Sequence, residues 1–600
     1  MSEKAPRRLP WFGVPKLLPF LKPYLRGIAG MIAVGCLVSL IDAVYPMFNR
    51  YALDHFVIGG TLDGLGVFVA LYVGVLLLQV VLNYFSLSYC GKIEMTVDRD
   101  LRNAAFNHLQ TLSFSYFNQN SVGYIHARVI SDSGKIGEMV AWRMMDIVWN
   151  TSYLLFIVLM MFLASPRLAV YLLPLIPVSA ALIAWFEGKL VALNRQIREI
   201  NSRITGNFNE GITGVRTIRT LVAEDTVNRD FKAETGRMRR TGIRAAHYSA
   251  LFTAAVTLMS SVALALVLWK GGRLTREGAV RIGTLSVFMS YALSMMEPIQ
   301  AIVNTLSGMI AIQVNIERLT RLLETESDVS DAPEVIEKYG DTFHPKWENW
   351  EPLLGDVEFR DVSFHYPDGE ELVLEHFNLK VPRGTNVAIV GETGAGKSTL
   401  VNLVCRFFEP TGGAVLIDGR DARERSQLWL HSNIGYVLQT PHLFSGSVRE
   451  NLRYGKPDAS DDEIMAALDM VSARQVVEKA GGLDADVGEG GGRLSVGEKQ
   501  LLSFARALLA DPRILVLDEA TSSIDTMTEK AIQSAIETVI RGRTSFVIAH
   551  RLSTITHADV ILAVVDGRIV EQGTHRELMK RRGYYFELYT RQYIDIMGNP

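Results

Sequence analysis

The sequence is poor in the residues that staple or metallate small folds. Its three cysteines, Cys36, Cys90 and Cys405, stand far apart and without metal-ligand spacing. That pattern excludes a disulfide framework and a CxxC zinc module. A large charge of one sign is missing too: 61 basic against 64 acidic residues leave a net charge of −3, which speaks against nucleic acid as a partner. There is no internal repeat and no low-complexity run. Residues 1–26 carry Lys4, Arg7, Arg8, Lys16, Lys22 and Arg26 but no A-x-A-like cleavage pattern, and read as a retained cytoplasmic start with an interfacial helix.

Long apolar runs are what the first half has instead, and they lift the mean hydropathy of the whole chain to +0.16. Crossing a bilayer core takes about twenty apolar residues in a helix. Six stretches meet that length approximately, at 27–47, 65–87, 146–164, 168–185, 251–269 and 282–302. Short links at 165–167 and 270–281 join tight pairs on the outside. The stretches 92–128 and 189–244 are long, helical in pattern and rich in both charges, and their Lys/Arg bias places them and both chain ends inside. The link 270–281, with one Lys and three Arg, is a local exception. Residues 324–356 mix Asp, Glu, Pro and Trp without periodicity and read as a linker. The expected division is therefore 1–26, a membrane domain at 27–323, the linker at 324–356 and a soluble domain at 357–600.

The soluble domain opens its chemistry after the apolar run 387–390, with Gly391-Glu392-Thr393-Gly394-Ala395-Gly396-Lys397-Ser398-Thr399. The glycines let backbone N–H groups turn inward on phosphate oxygens. Lys397 adds a charge for the β- and γ-phosphates and Ser398 a hydroxyl for Mg²⁺. The helix opening at Lys397 aims the positive end of its dipole at the anion. About a hundred residues on, an apolar strand ends Leu515-Val516-Leu517-Asp518-Glu519. Asp518 there would reach Mg²⁺ and Glu519 would polarise an attacking water. ATP and Mg are thus the expected cofactors, and the fold class is an all-α six-helix transmembrane domain followed by an α/β P-loop ATPase domain.

With these two segments in view, residues 357–588 resemble the ATPase domain of ABC transporters. The resemblance extends to Tyr366, matching the aromatic that stacks on adenine, and to Gln439 in Val437-Leu438-Gln439-Thr440, matching the glutamine that senses Mg²⁺ and the membrane domain. Asp525 matches the aspartate at the dimer seam and His550 the switch histidine on the γ-phosphate. The six-span layout resembles the membrane domain of type IV, or exporter-type, ABC transporters. In that family short intracellular helices, expected here near 120–124 and 220–225, dock on ATPase domains, the second on the partner's.

One segment departs from the family pattern. The usual Leu-Ser-Gly-Gly-Gln stands here as Leu494-Ser495-Val496-Gly497-Glu498. Ser495 and Gly497 keep the hydroxyl and the close-approach glycine for the γ-phosphate of the partner's ATP. Glu498 would set a carboxylate where an amide should face that nucleotide, and two unit charges about 6 Å apart repel by roughly 3 kcal/mol at an effective dielectric near 20. The resemblance implies head-to-tail ATPase pairs, so the expectation is a heterodimer, favoured over a homodimer: this chain lends intact Walker residues to one site and an altered signature to the other.

What is carried is the least legible part. The expected activity is ATP-driven export of a small hydrophobic or amphipathic compound across the inner membrane by a multi-pass protein among membrane lipids; the alternative is import of a siderophore-like compound by the same fold. Ionisable groups within the spans are costly and draw attention. Asp42, with Tyr45 three residues on, is a candidate contact for a cation or polar substrate, although a helix-end or interhelical structural role is the favoured reading. Arg143 and Asp146 are expected to pair. Glu297 before Pro298 is expected to mark a kink, and Met289, Met295 and Met296 to form an adaptable apolar wall.

Overall fold

A computed structural model describes residues 13–369, 371–518, 526–549 and 552–597. The chain divides into two compact units: residues 1–107 with 123–325, and 108–122 with 326–600. Each is described by itself.

In the membrane unit, six helices among the described residues are long and apolar enough to cross a bilayer: α1 Pro15–Val57, α2 Leu65–Leu109, α3 Val122–Ala164, α4 Pro166–Thr213, α5 Glu224–Arg276 and α6 Ile282–Leu323. Each has 42 to 53 residues, about twice what a bilayer core takes, so each carries a long stretch beyond it. The α3–α4 link is as tight as expected. Ser165 turns the chain with an extended backbone and Pro166 starts α4, where its missing N–H is harmless.

Helices α1, α3 and α6 pack on one another, and α4 pairs with α5 along its length. Their core gathers Ala43, Ile157, Met161, Phe288 and Tyr291, and the Tyr291 hydroxyl donates to the Ala43 carbonyl at 2.6 Å. Gly283 allows a close approach: its N–H donates to Asp54 at 2.8 Å, and a Cβ would lie 2.6 Å from that carboxylate. Helix α6 is interrupted between Ser294 and Met296. Pro298 is the cause, since it offers no N–H to the Ser294 carbonyl four residues back and its ring crowds that oxygen.

Two expectations within the spans are corrected. Met295 and Met296 are buried in the α1–α3–α6 core, so they fill packing space and form no exposed wall; only Met289 is half-buried. The ion pair of Arg143 is with Glu138 at 3.1 Å, and Asp146 is left to hold Asn150 through its carbonyl. The intracellular helices also sit earlier than expected. One runs Phe114–Gln119 and ends where the Asn120 side chain bonds back to the Tyr116 carbonyl at 2.8 Å. The other runs Val215–Thr220, after Gly214 closes α4, and is followed by a turn with Leu221 and Val222 exposed.

The second unit holds ten strands among its described residues: β1 Val357–Phe364, β2 Leu374–Val381, β3 Asn386–Val390, β4 Gly412–Ile417, β5 Arg420–Asp421, β6 Ile434–Val437, β7 Ile514–Asp518, β8 Thr544–Ile548, β9 Val560–Val565 and β10 Arg568–Gly573. They form an antiparallel sheet ordered β2-β1-β4-β5 and a six-stranded sheet ordered β10-β9-β3-β8-β7-β6. In the latter β9, β3, β8, β7 and β6 are parallel and β10 closes the edge antiparallel. The parallel strands are near-continuous apolar runs, as burial on both faces demands. Helix α7 Lys397–Val404 shares a core with both sheets through Leu400, Val401 and Val404, while helix α8 Val496–Leu509 belongs to a second core with Leu452, Ile464 and Ile536. The expected linker is a packed segment. It contains the helix Pro333–Tyr339, and Asp331 pairs with the buried Arg406 at 2.7 Å. Residues 108–122 join this unit through Phe114, whose ring lies 4.2 Å from that of Phe407.

Candidate ATP site

In an open parallel sheet the ligand crevice lies beyond the carboxyl ends of the strands. Here those ends are Val390 of β3, Ile548 of β8, Asp518 of β7 and Val437 of β6, with Asp518 in register with Ile548 and Leu517 with Val437. The residues singled out in sequence follow these ends: 391–399 after β3, Asp518 closing β7, and Gln439 two residues past β6 with its side chain exposed. Glu519, Asp525 and His550 lie outside the described residues.

The loop after β3 needs its glycines. At Gly391 a Cβ would stand 2.3 Å from the Val564 carbonyl, and Gly396 caps α7 in the left-handed region at φ 96°. The Lys397 ammonium curls back and donates to the carbonyls of Gly391 and Glu392, each at 2.8 Å. Burial pulls its pKa below the usual lysine range, and the Asp518 carboxylate opposes that. A buried ammonium held by carbonyl oxygens, beside helix N–H groups that have no intrahelical acceptor, is a seat an anion completes. Glu392, Thr393 and Gly394 stand exposed at its rim, Ala395 is buried beneath it, and Ser398 is exposed at the start of α7. Ser398 and Asp518 both offer oxygen, which a hard cation such as Mg²⁺ prefers. The residues present therefore fit a magnesium-bound triphosphate.

Tyr366 is half-buried, with its ring edge-on to Phe408 at 5.2 Å. Its hydroxyl bonds the Thr399 hydroxyl at 2.9 Å, tying the aromatic after β1 to the first turn of α7. Sequence reasoning offered no sign of that bond. Nor did it find Tyr584, whose hydroxyl lies near enough to the Glu392 backbone to be acted on by it.

The signature segment forms the N-terminus of α8. The Ser495 hydroxyl accepts from the Glu498 N–H at 3.3 Å, and the Glu498 carboxylate accepts from the Ser495 N–H at 2.8 Å. This reciprocal pair is a capping box, which Gln satisfies as well as Glu. The second carboxylate oxygen of Glu498 accepts from Lys479 at 2.8 Å. Lys479, with the Ser495 N–H and hydroxyl, holds the Glu498 carboxyl below the usual range. The carboxylate expected at this position is charged, but it folds onto its own helix end and carries a counter-ion that reduces the repulsion. Gly497 is buried behind it and Val496 is exposed.

Two family models match the chain. One is described as ABC transporter transmembrane region, over residues 28–299, and the other as ABC transporter, over residues 374–522. The chain is 32% identical over 575 residues to the uncharacterized ABC transporter ATP-binding protein YfiC of Bacillus subtilis, covering 95% of this chain and 93% of that protein. It is 32% identical over 598 residues to the ATP-dependent lipid A-core flippase of Escherichia coli, covering 97% and 98%. It is 36% identical over 538 residues to the protein of Bacillus subtilis named "Probable multidrug resistance ABC transporter ATP-binding/permease protein YheH", covering 88% and 77%. Six membrane helices joined to this nucleotide-binding fold make the chain a multi-pass membrane protein with its ATPase domain in the cytoplasm, hydrolysing ATP to drive export. It belongs to the ABC transporter family, as a half-transporter of the exporter type.

Proposed function

We propose that this chain is one half of a paired exporter that moves a small hydrophobic or amphipathic compound outward, using MgATP held at the carboxyl ends of β3 and β7. The observation that carries the reading is the Lys397 ammonium drawn over the Gly391 and Glu392 carbonyls beside Asp518. In this reading the loop 391–399 and Lys397 hold the triphosphate, Ser398, Asp518 and Gln439 hold Mg²⁺, and Tyr366 flanks the base. Bound ATP supplies the phosphoanhydride whose cleavage releases the free energy. Glu519 would polarise the attacking water, and His550 would serve as the switch histidine for the terminal phosphate. Signature residues Ser495, Gly497 and Glu498 complete the nucleotide site of the second half-transporter. Relatives named for multidrug resistance and for lipid A-core flipping support outward movement of an amphipathic cargo.

The partner is read as a different chain, on the strength of Val496 and Glu498. In this reading the site completed by this signature hydrolyses slowly, and the Lys479 ammonium on Glu498 favours its still binding nucleotide. The ATP assignment is tested by Glu519→Gln, expected to leave MgATP binding intact while turnover falls at least about a hundredfold. Undiminished hydrolysis in that variant refutes the role.

A further inference from the structure

Three helices of the membrane unit bring together polar side chains that the ATP site does not explain. Asp42 of α1 accepts a hydrogen bond from the Gln79 amide of α2 at 2.5 Å. The carbonyl end of that amide accepts from the Tyr45 hydroxyl at 2.5 Å. The Trp149 indole of α3 stands near enough to act on Asp42. All of these donors are neutral. Among the described residues no Lys, Arg or His pairs with Asp42, and Arg50 of the same helix is engaged with Asp54 at 3.8 Å. The charges that act on neighbouring Tyr153 are Asp42 and Glu297, both acids.

The walls are aromatic. Tyr45 meets Tyr72 edge-on at 5.9 Å, and Trp149 stacks on Tyr153 at 5.3 Å. Ring faces attract cations, most strongly where water is scarce. Asp42, Tyr45, Gln79, Trp149 and Tyr153 are all half-buried, so a ligand can reach them. A metal ion suits the place poorly, because hard cations take six or more oxygens and no group of three His, Cys, Asp or Glu that could hold one occurs among the described residues. An apolar body suits it well. Phe48, whose ring is 5.7 Å from Tyr72, lines a groove of about 570 Å³ with Val44, Met47, Phe68 and Leu71.

We propose that Asp42, oriented by Gln79 and walled by Tyr45, Tyr72, Trp149 and Tyr153, is a binding site for an organic monocation with apolar bulk. The carboxylate supplies the missing counter-charge, the rings supply cation–π contact, and the groove takes the hydrocarbon. The site rests on the reading of the chain as an exporter of amphipathic compounds and names the charge of its cargo.

The test uses tetraphenylphosphonium and tetraphenylborate, near-isosteres of opposite charge, titrated into the assembled transporter in a neutral detergent with empty micelles as control. Wild type is expected to bind the cation at least about tenfold more tightly than the anion, Asp42→Asn to weaken cation binding by about tenfold, and Asp42→Glu to restore most of it. Anion binding is expected to be the same in wild type and Asp42→Asn. No preference for the cation in wild type overturns the proposal, as does equal weakening of both ions in Asp42→Asn, which marks a purely structural role. The wild-type comparison decides even if Asp42→Asn does not assemble. Cation binding without ATP-dependent uptake into inverted vesicles sinks the export reading and leaves the site standing. ATP-dependent uptake of a neutral amphiphile without cation binding sinks the site alone.

Discussion

His431 is buried in surroundings that favour its neutral ring. Its Nε2 donates to the Cys405 carbonyl at 2.8 Å, and Phe407 packs against the ring. Burial pushes its pKa down; the Cys405 carbonyl opposes that and Arg406 adds to it. A folded-state pKa below the unfolded one means the unfolded chain binds the proton first, so stability is whole above the usual imidazole range and is lost as pH falls through it. The thermal midpoint of the ATPase-domain transition is therefore expected to fall between about pH 7.5 and about pH 5.5. His431→Gln keeps a donor for Cys405 and removes the titration, and should flatten the slope. An unchanged slope assigns the pH dependence elsewhere. Glu498 gives a second residue-scale prediction. Glu498→Gln keeps the capping box and is expected within about 0.5 kcal/mol of wild type, whereas Glu498→Ala loses the cap and the Lys479 pair and should cost about 1 kcal/mol by thermal or denaturant unfolding. Equal effects of the two would show that the cap contributes nothing.

Among elements, the short helix Phe114–Gln119 is the most exposed to test. It belongs to the ATPase unit, yet the chain runs directly from it into α2 on one side and α3 on the other. Its anchor is the Phe114 ring against Phe407, which also meets His431 and Tyr436. Phe114→Ala should leave MgATP affinity unchanged and lower substrate-stimulated ATPase several-fold, because the nucleotide seat is built from other elements while the transmission contact is lost. Unaltered stimulation would remove this helix from the coupling. That helix also marks how far sequence could see. The six spans and the cradle were legible because each rests on local pattern: apolar runs set by bilayer thickness, and glycines at fixed offsets from a strand end. The short intracellular helices were misplaced by several residues because their ends are decided by side-chain closures such as Asn120 on Tyr116, which no periodicity announces. The counter-ion of Glu498 was out of sight for the same reason. Ser495 and Glu498 stood three apart in plain view as a capping box, but Lys479 arrives from nineteen residues away. Arg143 was assigned the wrong acid because a helix surface offers several at similar spacing.

At the scale of the whole molecule, the chain leaves much apolar surface open. Helix α2 has none of its most apolar window buried within the unit, and Leu221 and Val222 stand exposed at the turn after α4. Lipid answers the first. The second lies beyond the membrane spans and calls for protein. The chain purified alone is accordingly expected to show weak ATPase that does not respond to transport substrate, and co-expression with a second half-transporter should restore stimulation. Robust substrate-stimulated turnover by this chain alone would establish a homodimer and end the unequal-pair reading.

The clasp between Asp331 and Arg406 has a mechanical corollary. Arg406 is 2% exposed and also holds Glu409, while Asp331 additionally receives the Gln427 N–H. The last residue of α6 is Leu323, so the stretch from there to Asp331 spans about 28 Å even when fully drawn. Glycines inserted in this stretch should leave the Asp331–Arg406 pair in place while slackening its covalent tie to the sixth helix.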